Sequence, residues 1–275
     1  MLEPQEISRY SKQIQLPGLG LQGQLKLKQT AVLVVGAGGL GCPALQYLST
    51  MGVGHLGVVD GDRVEESNLH RQPLYTQADV GRKKVEVVQK YLLERNPLGK
   101  VSVFDCFFNP ESASSILVGF DLVLDCSDNF DCRYLLNDAC GLAQIPLISA
   151  AVTGLEGHVA LFDPKVGPCY RCLFPHKPAR GQVQTCMQGG VLGVVPGILG
   201  ALQGLWAIQF LLSIGDPLHN KLLTFDGLSM SFQKLHFEKD PACALCGTRP
   251  SIQNLENPDL NLLSISPKTK PLCHP

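Results

Sequence analysis

The chain has 275 residues, 45% of them hydrophobic, which is enough for one sizeable core or two small ones. Its 23 basic and 24 acidic side chains leave a formal net charge of −1, so a protein that grips nucleic acid through bulk charge is not expected. The N-terminus MLEPQEISRYSKQ has no basic tip, apolar run or small-residue cleavage site, and a secretory signal is not expected either.

Residues 1–30 read as one or two short polar helices, joined through LPGLG and LQGQLKLKQ. TAVLVVGAGGLG then reads as a buried strand over Ala31–Val35, a glycine-rich turn and the start of a helix over Cys42–Met51. GHLGVVD supplies a second strand ending at Asp60, and Gly81–Glu94 has a helical face of Val85, Val88 and Leu92. VSVFDC, FDLVLDCSD and IPLISAAV supply three more strands, with helices over Glu111–Val118 and DCRYLLNDACGLAQ between them. This alternation is the signature of an α/β, Rossmann-like, doubly wound and mainly parallel sheet.

GLEGHVALFDPKVGPCYRC and KLLTFDGLSMSFQKLHF alternate polar with apolar residues and read as antiparallel strands extending that sheet. The uncharged run QGGVLGVVPGILGALQGLWAIQFLLSIG is long enough for a bilayer. Pro196, Gln203, Gln209 and its glycines favour a buried core helix over about Gly197–Ser213 instead. The expected division is an N-terminal helical segment (1–30), a nucleotide-binding domain (31–250) with a crossing loop at about 174–190, and a loosely packed tail (251–275).

GAGGLG places Gly36, Gly38, Gly39 and Gly41 where a tight turn, close backbone approach to phosphate and close helix packing are needed. The helix N-terminus behind it offers free N–H groups to an anion. Asp60, 19 residues beyond Gly41, is placed to accept from a ribose hydroxyl pair. Alone, this fingerprint suggests an NAD-dependent oxidoreductase. The following segment suggests a triphosphate.

DGDRVEESNLHRQ and GRKK offer Arg63, Asn68, Arg71, Gln72, Arg82, Lys83 and Lys84 within 22 positions. Arg71 can clamp two phosphate oxygens while Lys84 acts as a mobile point charge. A solvated loop with helix-capping groups is the plainer account of the same residues. LVLDCSDN adds Asp125, Asp128 and Asn129 at a strand end facing the ligand crevice. Asp128 suits Mg²⁺ against a triphosphate, or an N-cap for a helix over Asp131–Ala143.

The eleven cysteines, an odd count, point to a reducing, cytoplasmic setting in which clustered thiols bind metal more often than they form disulfides. Cys169–Cys172 and Cys243–Cys246 are two CxxC hooks, the usual supply for a closed structural Zn²⁺ site. An iron–sulfur cluster or a redox pair is the alternative. Cys42, Cys106, Cys126, Cys132 and Cys140 read as small hydrophobes. Cys186, in the polar stretch KPARGQVQTCMQGG, reads either as an activated nucleophile near Arg180 or as an incidental loop thiol. His158 and His236 read as strand residues.

Taken together, GAGGLG, DGDRVEESNLHRQ, VGRKKVE, LVLDCSDN, CYRC and CALCG resemble the MoeB/ThiF/HesA family, relatives of ubiquitin-activating enzymes, from about Ile7 to Gly247. The resemblance implies an adenylation domain that uses ATP and Mg²⁺ to adenylate the C-terminal glycine of a ubiquitin-like, ThiS/MoaD-like sulfur carrier, releasing pyrophosphate. It implies that Gly36, Gly38, Gly39 and Gly41 bind nucleotide, Asp60 the ribose, and that Asp62 lines the same pocket. Asn68, Arg71, Gln72 and Lys84 would address the phosphates and Asp128 Mg²⁺, with zinc on Cys169, Cys172, Cys243 and Cys246. Cys186 matches the crossover-loop cysteine that some members use in thioester or persulfide chemistry.

The resemblance also implies a homodimer in which a basic residue from the partner's N-terminal helix completes each site. At that place the family usually has arginine, whereas this chain has Lys12, which keeps charge but loses the fork. No rhodanese-like segment follows Gly247, so a separate donor, such as a cysteine desulfurase or rhodanese, is expected to supply sulfur. A non-catalytic nucleotide-binding scaffold is the third reading. It leaves the set of Arg71, Lys84 and Asp128 without a purpose.

Overall fold

A computed structural model describes residues 1–178, 190–216 and 218–256. Three short helices open the chain: α1 (Pro4–Arg9), α2 (Ser11–Ile14) and α3 (Gly20–Gln29). Then come β1 (Ala31–Val35), α4 (Gly41–Thr50), β2 (His55–Val59), α5 (Lys84–Arg95), β3 (Lys100–Phe104), α6 (Pro110–Leu117), β4 (Leu122–Asp125) and α7 (Phe130–Ala143). The second half holds β5 (Leu147–Thr153), β6 (Glu156–Phe162), α8 (Tyr170–Leu173), α9 (Val194–Leu212), β7 (Lys221–Asp226) and β8 (Ser231–His236).

All eight strands form one sheet in the order β3-β2-β1-β4-β5-β6-β7-β8. β1 to β5 run parallel to one another, and β6, β7 and β8 are added antiparallel. The reason lies in the side chains. β1 and β4 are buried at every residue, as strands covered by helices on both faces must be, so their sequences are unbroken apolar runs. One core packs α4, α5 and α9 against one face through Leu45, Val88 and Leu199. The second packs α6 and α7 against the other through Leu117 and Leu135.

α9 has no charged residue, yet it contacts α4, β5 and β6, and Val195, Leu199, Gln203 and Trp206 are buried. Its composition alone would permit a membrane span. Its buried Gln203 instead donates to the carbonyls of Asp125 (2.8 Å) and Ile148 (3.2 Å), as a core helix over the sheet would. It begins at Val194, three residues ahead of the sequence expectation, because Pro196 fits the first turn of a helix.

The strand order reverses at β1, which has β2 on one side and β4 on the other. A crevice therefore opens beyond the carboxyl ends of β1, β2 and β4.

Candidate active site

The chain turns sharply as it leaves β1. Gly36 has φ +97°, and a Cβ there would lie 2.6 Å from the Cys126 carbonyl oxygen just past β4. Only glycine satisfies both the conformation and the approach. The turn is then fixed from the next strand: the Ala37 amide donates to Asp60 Oδ2 (2.8 Å), and the Asp62 amide donates to Asp60 Oδ1 (2.8 Å). Asp60 thus already holds two amides. Burial pushes its carboxyl above the usual range, against the pull of Lys84.

Among the described residues, the backbone amides of Gly38, Gly39 and Leu40 have no hydrogen-bond acceptor. They precede α4, whose N-cap is Leu40 and carries no side-chain cap. This is a helix N-terminus with donors open to an anion.

A cleft of about 1080 Å³ surrounds these amides. It brings together Gly36, Gly38, Gly39, Asp60, Asp62, Asn68, Arg71, Gln72, Lys84 and Asp128, all singled out in the sequence. Gly41 lies beneath, packed on the Gly36 carbonyl. Lys12 is exposed on α2 and does not line this cleft. Cys186 lies outside the described residues.

Lys84 is not the mobile point charge expected. It is the first residue of α5, 4% exposed, with Nζ 3.1 Å from Asp62 Oδ2 and 4.0 Å from Asp60 Oδ2. Its partners come from the β2 end, which the α5 start touches through Lys84 N–H donating to the Asp62 carbonyl (3.0 Å). Arg82 and Lys83 leave the cluster: Arg82 pairs with Asp79 (2.7 Å), and Lys83 with Asp105 (2.8 Å). Arg71 has no ion pair among the described residues and donates to the Ser67 carbonyl (2.9 Å). Gln72 is 3% exposed, and its Oε1 is buried without a partner.

Across the crevice, Asp125 and Asp128 have different positions. Asp125 is fully buried, bound by Arg133 Nε (3.0 Å) and the Ser127 and Ser149 hydroxyls (2.5 and 2.6 Å). Burial disfavours the Arg133 charge, but Asp125 more than compensates and raises its pKa. Asp128 is exposed at the cleft, and it is not the helix cap. Asn129 is: its side chain accepts from the Cys132 amide (2.9 Å), because α7 starts at Phe130.

The far wall comes from residues of the second half of the chain that the sequence left without a role. His158, Tyr170, Phe174 and His176 line it. The Tyr134 hydroxyl donates to the Phe174 and His176 carbonyls (2.9 and 2.8 Å), fixing the stretch that follows the first hook. Nothing in the polar–apolar alternation distinguishes such residues from ordinary strand and turn residues.

The two hooks meet. The Sγ atoms of Cys169, Cys172, Cys243 and Cys246 lie within 4.8 Å of one another, with Cys169–Cys243 at 3.5 Å, Cys172–Cys246 at 3.3 Å and Cys169–Cys172 at 4.0 Å. All four are free thiols. Tetrahedral zinc with Zn–S bonds near 2.3 Å sets sulfurs about 3.8 Å apart, so this donor set fits the ion. The Asp240 amide donates to Cys172 Sγ (3.4 Å), as suits a thiolate. Of the remaining cysteines, Cys42, Cys126, Cys132 and Cys140 are free, and burial raises their thiol pKa. Cys106 is buried too, but it is disulfide-bonded, so it is not the simple small hydrophobe expected.

The model of the ThiF family matches residues 10–245. A sulfur carrier protein adenylyltransferase of Thermus thermophilus is 48% identical over 91% of this chain and 94% of its own length. The adenylyltransferase and sulfurtransferase MOCS3 of Anopheles gambiae is 48% identical over 92% of this chain, which spans 58% of that relative. Among solved structures, E. coli MccB with AMPCPP and MccA superposes with a TM-score of 0.77 at 26% identity, covering 87% of this chain and 74% of that one. E. coli MccB with succinimide gives 0.78 at 25% identity, covering 90% and 75%. With its eight-stranded mixed sheet, its glycine turn and this match over most of its length, the chain belongs to the ThiF family.

Proposed function

We propose that this protein uses ATP and Mg²⁺ to adenylate the C-terminal glycine carboxylate of a ubiquitin-like, ThiS/MoaD-like sulfur carrier, releasing pyrophosphate and preparing the carrier for thiocarboxylate formation. Adenylation of a sulfur carrier is what the Thermus relative's name and its 48% identity support. The same likeness weighs against the NAD-dependent oxidoreductase and the non-catalytic scaffold. One observation carries the finer reading: open helix-terminal amides, Arg71, Lys84 and an exposed Asp128 share a single cleft.

The chemistry asks for no side-chain base. A carboxylate is already charged at neutral pH and attacks the α-phosphorus as the bond to the β-phosphate bridging oxygen breaks. The enzyme aligns the reactants and neutralises charge on the departing pyrophosphate. Arg71, Asn68 and Gln72 would hold phosphate oxygens, and Lys84 would exchange Asp62 for them. Gly36, Gly38, Gly39 and Gly41 would shape the phosphate turn. Asp60 would serve the ribose while holding that turn, with Asp62 beside it. Asp128 would hold Mg²⁺, a hard cation suited to carboxylate oxygen.

Cys169, Cys172, Cys243 and Cys246 would hold a closed Zn²⁺ whose work is structural. Because Lys12 does not line its own chain's cleft, its role there needs a second copy, as in a homodimer. Residues 31–250 would form the adenylation domain behind the 1–30 helical segment, with 251–275 as a tail. Cys186 would act after adenylation, with sulfur supplied by a separate cysteine desulfurase or rhodanese in the cytoplasm. The test is radiolabelled pyrophosphate exchange into ATP with Mg²⁺ and a series of Gly-Gly-ended carriers. Carrier-dependent exchange is expected, and its absence with every carrier overturns the reading. Cys186→Ala should leave that exchange intact and impair only sulfur transfer.

A further inference from the structure

A smaller cavity of about 380 Å³ adjoins the cleft. The two share Ala151, Val152, Thr153 and His158, so they meet along the β5–β6 hairpin. The smaller cavity is walled by the antiparallel strands, with Thr224, Ser231 and Gln233 offering polar groups. His158 stands at the junction on β6, opposite Ala151 of β5 and Thr224 of β7.

His158 is also chemically unfinished. Its Nε2 is buried and has no hydrogen-bond partner among the described residues. A buried polar nitrogen left unpaired is costly, and the cost is recovered when a ligand brings the missing partner. The ring is held by Phe174, whose centroid lies 6.1 Å away at 32°. Burial, and then the Arg133 guanidinium, hold its pKa down to about 4, so the imidazole is neutral at working pH. A neutral ring serves an uncharged main chain and does not compete with phosphates for the terminal carboxylate.

We propose that His158 is a positioning residue for the carrier's C-terminal tail, its Nε2 hydrogen-bonding a main-chain amide group of that tail where it passes from the smaller cavity into the cleft. An extended tail offers partners for either tautomer: an Nε2–H donates to a carbonyl, and a bare Nε2 accepts from an amide N–H. Glycines bring the main chain close enough, since no side chain stands between it and the ring. The proposal rests on the adenylation reading and adds to it a residue that sets the register of the tail.

The experiment is steady-state pyrophosphate exchange with a Gly-Gly-ended sulfur carrier, measuring KM for carrier and for ATP separately. Each variant's ATP affinity is measured calorimetrically without carrier. His158→Leu is expected to raise the carrier KM roughly tenfold, the usual cost of one unpaired buried hydrogen bond, with ATP KM and ATP affinity within about twofold. His158→Gln, which keeps a donor and an acceptor, is expected to return the carrier KM to within about threefold of the parent. A carrier KM unchanged in His158→Leu, a parallel loss of ATP affinity, or a Gln variant as poor as the Leu variant each overturns the proposal. A parent enzyme without carrier-dependent exchange overturns the adenylation reading itself, a separable result because it involves no variant.

Discussion

The parallel and antiparallel halves of the sheet are held together by different means. β1, β2 and β4 lie between two apolar cores, and hydrophobic burial is sufficient to order them. β8 is open on most of its length, with Phe232 and Leu235 about half exposed. Between the hooks themselves the buried apolar cluster among the described residues is Cys169, Cys243, Leu245 and Ile252, too small to order a segment by itself. Tyr170 packs into the second core, and the other ties of this region to the rest are polar and specific. Arg171 binds Asp138 through two 2.7 Å hydrogen bonds, and Asn137 accepts from the Tyr170 amide (2.7 Å). The nucleotide end is therefore preformed by packing, while the far wall of the cleft would gain order from a metal cross-link between the hooks.

Removing that cross-link should have the largest effect. Structural zinc contributes roughly 10 kcal/mol or more in small domains that fold around it. Zinc of about one ion per chain is expected by elemental analysis, as one tetrathiolate site binds one ion. Stripping it, or substituting Cys172→Ser, should lower the melting temperature by many degrees and abolish carrier-dependent turnover. ATP affinity should fall less, because Tyr170 and Phe174 line the far wall and the glycine turn does not touch the hooks. A Cys172→Ser protein with unchanged melting temperature would erase the contrast between the halves.

Asp128→Ala comes next and acts on the other side of the comparison. Loss of one preorganised electrostatic contact to a reacting charge costs on the order of 10²–10³ in rate. Mg²⁺-dependent exchange should fall by at least that much. Since Asp128 is exposed and Asn129 caps α7, thermal stability should stay within about 0.5 kcal/mol, the usual range for surface positions. Near-normal exchange would remove Asp128 from the metal role.

These effects were legible in the sequence to different degrees. The central parallel strands β1 and β4 were, because full burial leaves an apolar run that no other element explains at that length. The meeting of the four cysteines was legible as well, since two CxxC hooks carry their own geometry. Lys84 was not: its acid partners lie 22 and 24 positions away and come into reach only when α5 docks beside the end of β2. Nor was the cap of α7, where Asp128 and Asn129 are equally good candidates and a one-residue shift in the helix start decides between them. His158 reads as an ordinary strand residue because alternation reports which face a side chain takes, not what space lies in front of it.

Gly36→Ala probes the parallel half from within. The substitution meets two obstacles, a positive φ and the Cys126 carbonyl oxygen 2.6 Å from the new Cβ. Strain at such a φ costs about 1–3 kcal/mol before the steric clash is counted. The folded state should survive, since both cores remain intact, with a lower melting temperature and a loss of ATP affinity as the turn opens. If affinity fell without any loss of stability, the strain would lie in the bound state alone.

Asn129→Ala should have the smallest effect and is the sharpest control. It removes the cap of α7, which costs about 1 kcal/mol, and one long hydrogen bond to Asp128 (3.4 Å), and leaves every cleft cation in place. α7 bears Arg133 toward the nucleotide side and Asn137 and Asp138 toward the hooks, so it is hydrogen-bonded to both halves. If the halves are independently secured, the variant loses about that much in denaturant unfolding and its exchange rate changes less than threefold. If α7 instead transmits order from the hooks to the strand ends, a loss in exchange far larger than the loss in stability would appear, and restoring a cap with Asn129→Asp would reverse it.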